Sequence, residues 1–257
     1  IDEQDIDAVR FMITSGFDIN EKGKPNESYL ERAWFRCSDF EIVKLLIDYG
    51  AELNDPSYPA VVGAAFRHST EMIQYVLDRG ADLNATSGNK VSALWHAAYD
   101  GDIELARFLL DVGIDVAKVG GDALALAASR NHLPIIKLLV ENNVNVNFQM
   151  FDAHPDRTYS PLHNAAWYGH LESVHYLLMN GADPSLKNHY GKRPYHLAKE
   201  EKHQEIMELI AAYEPQSIQD LDQERGELKR AGLPKQIMDD LGEESVRMEL
   251  QNCCYMD

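Results

Sequence analysis

Apolar and polar positions along this chain recur in one fixed order. An apolar run with helical spacing ends in Gly or Asn, and a polar and apolar ladder closing on Asn usually follows. The order appears as MITSGFDIN (12–20), LLIDYGAELN (45–54), YVLDRGADLN (75–84), FLLDVGIDVA (108–117), LLVENNVNVN (138–147) and YLLMNGADPS (176–185). The marker residues Gly16, Gly50, Gly80, Gly113, Asn143 and Gly181 are separated by 34, 30, 33, 30 and 38 residues. A period of that size is the signature of stacked supersecondary units. Gly or Asn suits such a marker because the turn after a helix is left-handed, and only these types adopt it cheaply. Each run therefore predicts a helix end followed by a short extended segment.

A second helix fits between successive markers. Ser160, Pro161, Leu162 and His163 precede Asn164, Ala165 and Ala166, and Ser92, Ala93, Leu94 and Trp95 precede His96, Ala97 and Ala98. Ser as N-cap, with Pro at the first helical position, is a strong helix start. Ala64 with Ala65, and Ala127 with Ala128, hold the matching place in two further units, where small side chains let helices approach closely. Turns such as Tyr168, Gly169 and His170 lead into the next apolar helix, with Val174, Leu177 and Leu178 at i, i+3 and i+4. The unit is helix, turn, helix, extended loop.

On these residues the chain resembles the ankyrin repeat family. SPLHNAAWYGHLESVHYLLMNGADPSLKN (160–188) carries nearly the whole family pattern, and SALWHAAYDGDIELARFLLDVGIDV (92–116) is a good second match. The likeness runs from about Asp5 to Tyr213, as one half-unit and about six fuller ones. It departs from the pattern at Glu31 to Asp48, which lacks the Pro-Leu-His opening, and at Asp122 to Ala125, which replaces that opening. The resemblance implies an all-α solenoid of stacked helix-turn-helix pairs with β-hairpin-like loops. It also implies that His163 bonds backbone between repeats, and His170 in the turn of that unit is read as structural too.

The expected organisation is a repeat array over 1–213 and a short acidic C-terminal extension over 214–257. In that extension Leu233 to Gly242 reads as a capped helix and Val246, Met248 and Leu250 as a strand. The extension is expected either to cap the last repeat or to begin a small α/β module. Arg193 to Tyr213, with charged residues from Glu200 to Gln204, reads as the closing unit that a stack of repeats needs.

Ankyrin arrays as a family bind proteins through a concave face of loop tips and first helices. Carried onto this chain by its Ala pairs, that face falls on Phe66 and Arg67, Tyr99 and Asp100, Ser129 and Arg130, and Trp167 and Tyr168. Aromatic and Arg side chains dominate interface energetics. Asn89, Asp156, Arg157 and Tyr159 are loop-tip candidates. The long separation between Asn143 and Gly181 places an insertion at 148–157 whose Phe148, Met150 and Phe151 either meet a partner or tuck onto the neighbouring helix.

The net charge of −18 argues against nucleic acid and anionic membrane as partners and favours a protein with basic surface. An inhibitor or immunity-type role against a basic enzyme is one form of this; a scaffold, or the accessory arm of a larger enzyme, are alternatives. Cys37, Cys253 and Cys254 make no disulfide framework and no zinc spacing, so a reducing, cytoplasmic setting is expected. No G-x-S-x-G, P-loop or H-E-x-x-H string occurs, and the pair Gly120 and Gly121 has no Lys-Ser/Thr after it. No apolar run reaches the length of a membrane span. The expectation is a non-catalytic, monomeric binding protein without metal or cofactor.

Overall fold

The structure is a computed structural model that describes residues 6–23, 27–37, 40–149 and 159–216. Among these, thirteen α-helices and no strand are found. Among the described residues, helix α1 (Ile6–Thr14) stands before the first pair. Six pairs follow it: α2 (Tyr29–Arg36) with α3 (Glu41–Asp48), α4 (Ala60–Phe66) with α5 (Thr70–Leu77), and α6 (Ala93–Asp100) with α7 (Ile103–Asp111). The others are α8 (Val116–Ser129) with α9 (Leu133–Glu141), α10 (Pro161–Trp167) with α11 (Leu171–Met179), and α12 (Pro194–Glu200) with α13 (Gln204–Tyr213).

Local chemistry explains the boundaries. All six marker residues are left-handed, with φ from 62° at Asn143 to 92° at Gly50 and Gly80. Ser28, Ser92 and Ser160 cap the first helices, their hydroxyls accepting from the N–H groups of Glu31, Trp95 and His163. Ser28 thus supplies a start where the repeat opening is absent. The Ala pairs are fully buried, and neighbouring first helices lie in closer mutual contact than neighbouring second helices. The stack therefore bends, with the first helices on its inner wall. One continuous core runs its length, because each pair buries its apolar face on the next.

The polar ladder has its own purpose. The Asn54 side chain donates to the Gly80 carbonyl at 3.2 Å and accepts from the Asp82 N–H at 2.8 Å. Asn20 bridges Gly50 and Glu52 in the same way, and Asn147 bridges Gly181 and Asp183. Ala117 stands where the fourth ladder would place its Asn.

The loop tips form hydrogen-bonded turns at Ser87 to Val91 and at Asn188 to Lys192. No such finger precedes the Ala127 pair. There Asp115 caps the helix, accepting from the Ala117 and Lys118 N–H groups, and α8 runs through the stretch in which its neighbours turn. The buried Gly120 and Gly121 lie within this helix, where a Cβ would collide with Val144 and with the ring of Phe148. At the other end, Arg193 and Glu214 make a 3.0 Å ion pair whose side chains are 4 % and 2 % exposed. The extension beyond 216, with its expected helix and strand, lies outside the described residues.

Candidate functional site

The missing finger opens a groove on the inner wall. Its floor is the exposed edge of α6, α8 and α10, bearing Trp95, Tyr99, Leu126, Ser129, Asn164, Trp167 and Tyr168. Among the described residues, the tip at 87–91 contributes Asn89 and Lys90 on one side and the tip at 188–192 contributes Tyr190 on the other, with Tyr159 just before α10. Where the absent finger would rise, the extra turns of α8 present Asp122 instead. The volume is about 910 Å³, ample for a peptide segment.

Six aromatic side chains meet here. Trp95 and Tyr99 stack one helical turn apart, centroids 4.9 Å apart at 18°. Tyr159 leans on Trp167 at 5.7 Å, and the Arg130 guanidinium lies 3.5 Å from the Tyr99 ring centre. Arg130 has no carboxylate partner among the described residues. Tyr168 and Tyr190 are 58 % and 51 % exposed, well above what a seam-covering residue needs.

The scaffold under these side chains is tied from behind. The turn histidines His132, His170 and His203 reach back to the carbonyls of Tyr99, Ser129 and Trp167 at 3.1–3.3 Å. His163 ties the front. Its Nδ1 accepts from the Ser160 N–H, so Nε2 carries the ring proton and donates to the Lys192 carbonyl at 3.0 Å. That carbonyl stands at the base of the finger bearing Tyr190. Burial lowers the His163 pKa to about 4, against the opposing pull of the Lys192 and Leu186 backbone. Trp95 occupies the place of His163 in its own unit, and the finger such a residue would bond is the missing one.

Of the residues expected from sequence, Tyr99, Ser129, Arg130, Tyr159, Trp167 and Tyr168 come together in this groove, as does the loop tip Asn89. Others do not. Arg67 donates to the carbonyls of Trp34 and Cys37 and lies over Phe40, so its head group is spent joining repeats. Asp100 pairs with His68 at 3.4 Å. Phe66 packs on Phe35 in a separate shallow depression nearer the N-terminus. Phe148 covers Gly121, so of its two expected placements the inward one holds. Met150, Phe151, Asp156 and Arg157 lie outside the described residues. Sequence reasoning missed Lys90, Trp95, Asp122, Leu126, Asn164 and Tyr190. The separation of 30 between Gly113 and Asn143 gave no unique signal, because Gly50 and Gly80 are separated by the same 30 residues.

Among the described residues no cluster of three His, Cys, Asp or Glu side chains could hold a metal ion, and no helix is long and apolar enough to cross a membrane. Models of tandem ankyrin repeats match residues 61–150, 94–188 and 149–222, which together span more than half of the chain. The chain is 28 % identical over 181 residues to the putative ankyrin repeat protein YahD of Escherichia coli K12, covering 68 % of this chain and 90 % of that one. It is 31 % identical over 170 residues to the mouse B-cell lymphoma 3 protein homolog, covering 62 % of this chain and 37 % of that one. It is also 34 % identical over 110 residues to the palmitoyltransferase AKR1 of Lachancea kluyveri, covering 40 % of this chain and 14 % of that one. The matches to these two relatives thus take in well under half of their length. Periodicity, helix pairing, left-handed markers and matched residues agree: the chain belongs to the ankyrin repeat family.

Proposed function

We propose that this protein is a non-catalytic recognition module that takes a segment of a protein partner into the groove over α6, α8 and α10. Ankyrin repeats generally mediate protein–protein interaction. The observation that carries the reading is the meeting of Trp95, Tyr99, Tyr159, Trp167, Tyr168 and Tyr190 where one finger is absent. A stack that needed only stability would have no use for so much exposed ring. Aromatic side chains on a rigid floor supply large contact area at small entropic cost.

The finer reading is that the partner as a whole carries basic surface and that the monomeric chain inhibits it by covering it. Its support is the net charge of −18, which acts at long range to speed encounter with a cation-rich surface. A photo-crosslinking residue in place of Tyr168 tests the groove, with one in place of Met179 on the outer helix α11 as control. Met179 is 64 % exposed, so both probes are accessible. Protein adducts should form from position 168 and not from 179. Adducts from 179 alone would remove the groove from consideration.

A further inference from the structure

We infer that the groove holds a polyproline II segment of its partner, with an acidic residue set between two prolines in the order Pro-x-x-acid-x-x-Pro. The inference rests on the groove reading above and adds the occupant's shape and charge. Packed helices stand about 8–10 Å apart. A polyproline II chain has three residues per turn and rises about 3.1 Å per residue, so every third side chain returns to one face after about 9 Å. A peptide lying along the stack would therefore drop one side chain into each unit. An extended β-strand repeats every second residue, about 6.6 Å, and falls out of step with the units.

The units differ in what they offer. On α6 the face of Trp95 turned away from Tyr99 presents ring surface, Tyr99 itself being held between Trp95 and Arg130, and on α10 Trp167 with the tilted Tyr159 presents a ring corner. Rings of this kind receive proline, whose fixed φ leaves little entropy to lose. The middle unit offers no ring of its own; it offers Arg130, held over Tyr99 and without a carboxylate partner among the described residues. A guanidinium so oriented presents its edge N–H groups to a carboxylate. Among the described lining residues, Lys90 on the neighbouring finger is a second cation and Asp122 the carboxylate. In a chain of net charge −18, cations outnumber carboxylates among the described residues of this groove.

Intrinsic tryptophan fluorescence of the full chain, titrated with three capped peptides, tests the proposal. Trp95 and Trp167 report from the groove, while Trp34 is fully buried under α4. The probes are Pro-Pro-Pro-Glu-Pro-Pro-Pro (the Pro-Pro-Glu peptide), the same sequence with Lys in place of Glu (the Lys peptide) and Gly-Ser-Gly-Glu-Gly-Ser-Gly (the Gly-Ser-Glu peptide). The Pro-Pro-Glu peptide should bind at least about tenfold more tightly than either of the others, and Arg130→Glu should reverse the preference between the first two. The chain's overall field favours the Lys peptide, so a Glu preference comes from the groove alone. Equal or tighter binding of the Lys peptide to the native chain overturns the charge assignment. Equal binding of the Gly-Ser-Glu peptide overturns the helical conformation, and no binding of any probe overturns both. The crosslinking from position 168 is independent of these outcomes, so the groove can stand while its occupant is reassigned.

Discussion

Lowering the pH from 7 to 4 should cost this array about 3 kcal/mol through His163 alone. The side chain is fully buried between α10 and the Tyr190 finger, with its proton on Nε2 and its Nδ1 facing the Ser160 N–H. A second proton would have to go on Nδ1, against that donor and without water. Burial accordingly places the folded pKa at about 4, against 6.5 for an unperturbed imidazole. Because the folded value is the lower one, the unfolded chain takes up protons first. Stability is thus complete above about pH 6.5 and is lost as pH falls toward 4. At 1.36 kcal/mol per unit, the loss is about 2 kcal/mol at pH 5 and about 3 kcal/mol at pH 4. Urea unfolding of the native chain and of His163→Gln at pH 7, 5 and 4 isolates the contribution, since His96, also lowered to about 4 by burial, titrates in both proteins. The gap between the two should close by about 3 kcal/mol across the range. Parallel curves, or an NMR titration of this imidazole near 6.5, would refute the reasoning. Protonation leaves Nε2–H donating to the Lys192 carbonyl and breaks instead the Ser160 N–H contact at Nδ1, so the strain should fall on the N-terminus of α10.

Other perturbations separate the parts of the fold. Gly121→Ala puts a methyl group into the ring of Phe148; displacement of that ring should cost about 1–3 kcal/mol in urea unfolding. Glu214→Ala leaves Arg193 buried without its carboxylate, and a loss of about 3–5 kcal/mol should register as faster amide exchange in α12 and α13 before the rest of the stack. Asn54→Ala removes two bridging hydrogen bonds at a wetter site, so its cost should be nearer 1–2 kcal/mol and confined to the units on either side.

Most of the architecture was legible because the repeat writes the same physical demands six times. A marker such as Gly80 or Asn143 must turn left-handed, and the Ala pairs must let helices meet; both demands fall on residue type alone. The groove was legible by half. Tyr99, Trp167 and Tyr168 followed from their place after an Ala pair, which is a position within one unit. Trp95, Asp122 and Tyr190 depend on what the neighbouring unit lacks, and no pattern internal to a unit records that. Arg67 spends donors on the carbonyls of Trp34 and Cys37, and Phe148 takes the inward of its two expected placements; neither was legible beforehand, because these partners lie in other segments and are not distinctive residue types. Ser28 went unread as a cap because only its spacing to Glu31, and no repeat opening, marked it.

The substitution of Ala117 for a bridging Asn has a mechanical consequence. Amide bridges such as those of Asn54 and Asn147 fix distance and direction together, so they lock adjacent layers in register. Between α8 and the segment after Asn143, that lock is replaced by Val144 and Phe148 resting on the bare backbone of Gly120 and Gly121. A ring on glycine resists separation but not sideways slip. Register at this plane, which runs beneath the groove, therefore rests on the turn tie from His132 to the Tyr99 carbonyl, and an occupant spanning α6 and α8 would add a second tie beside it.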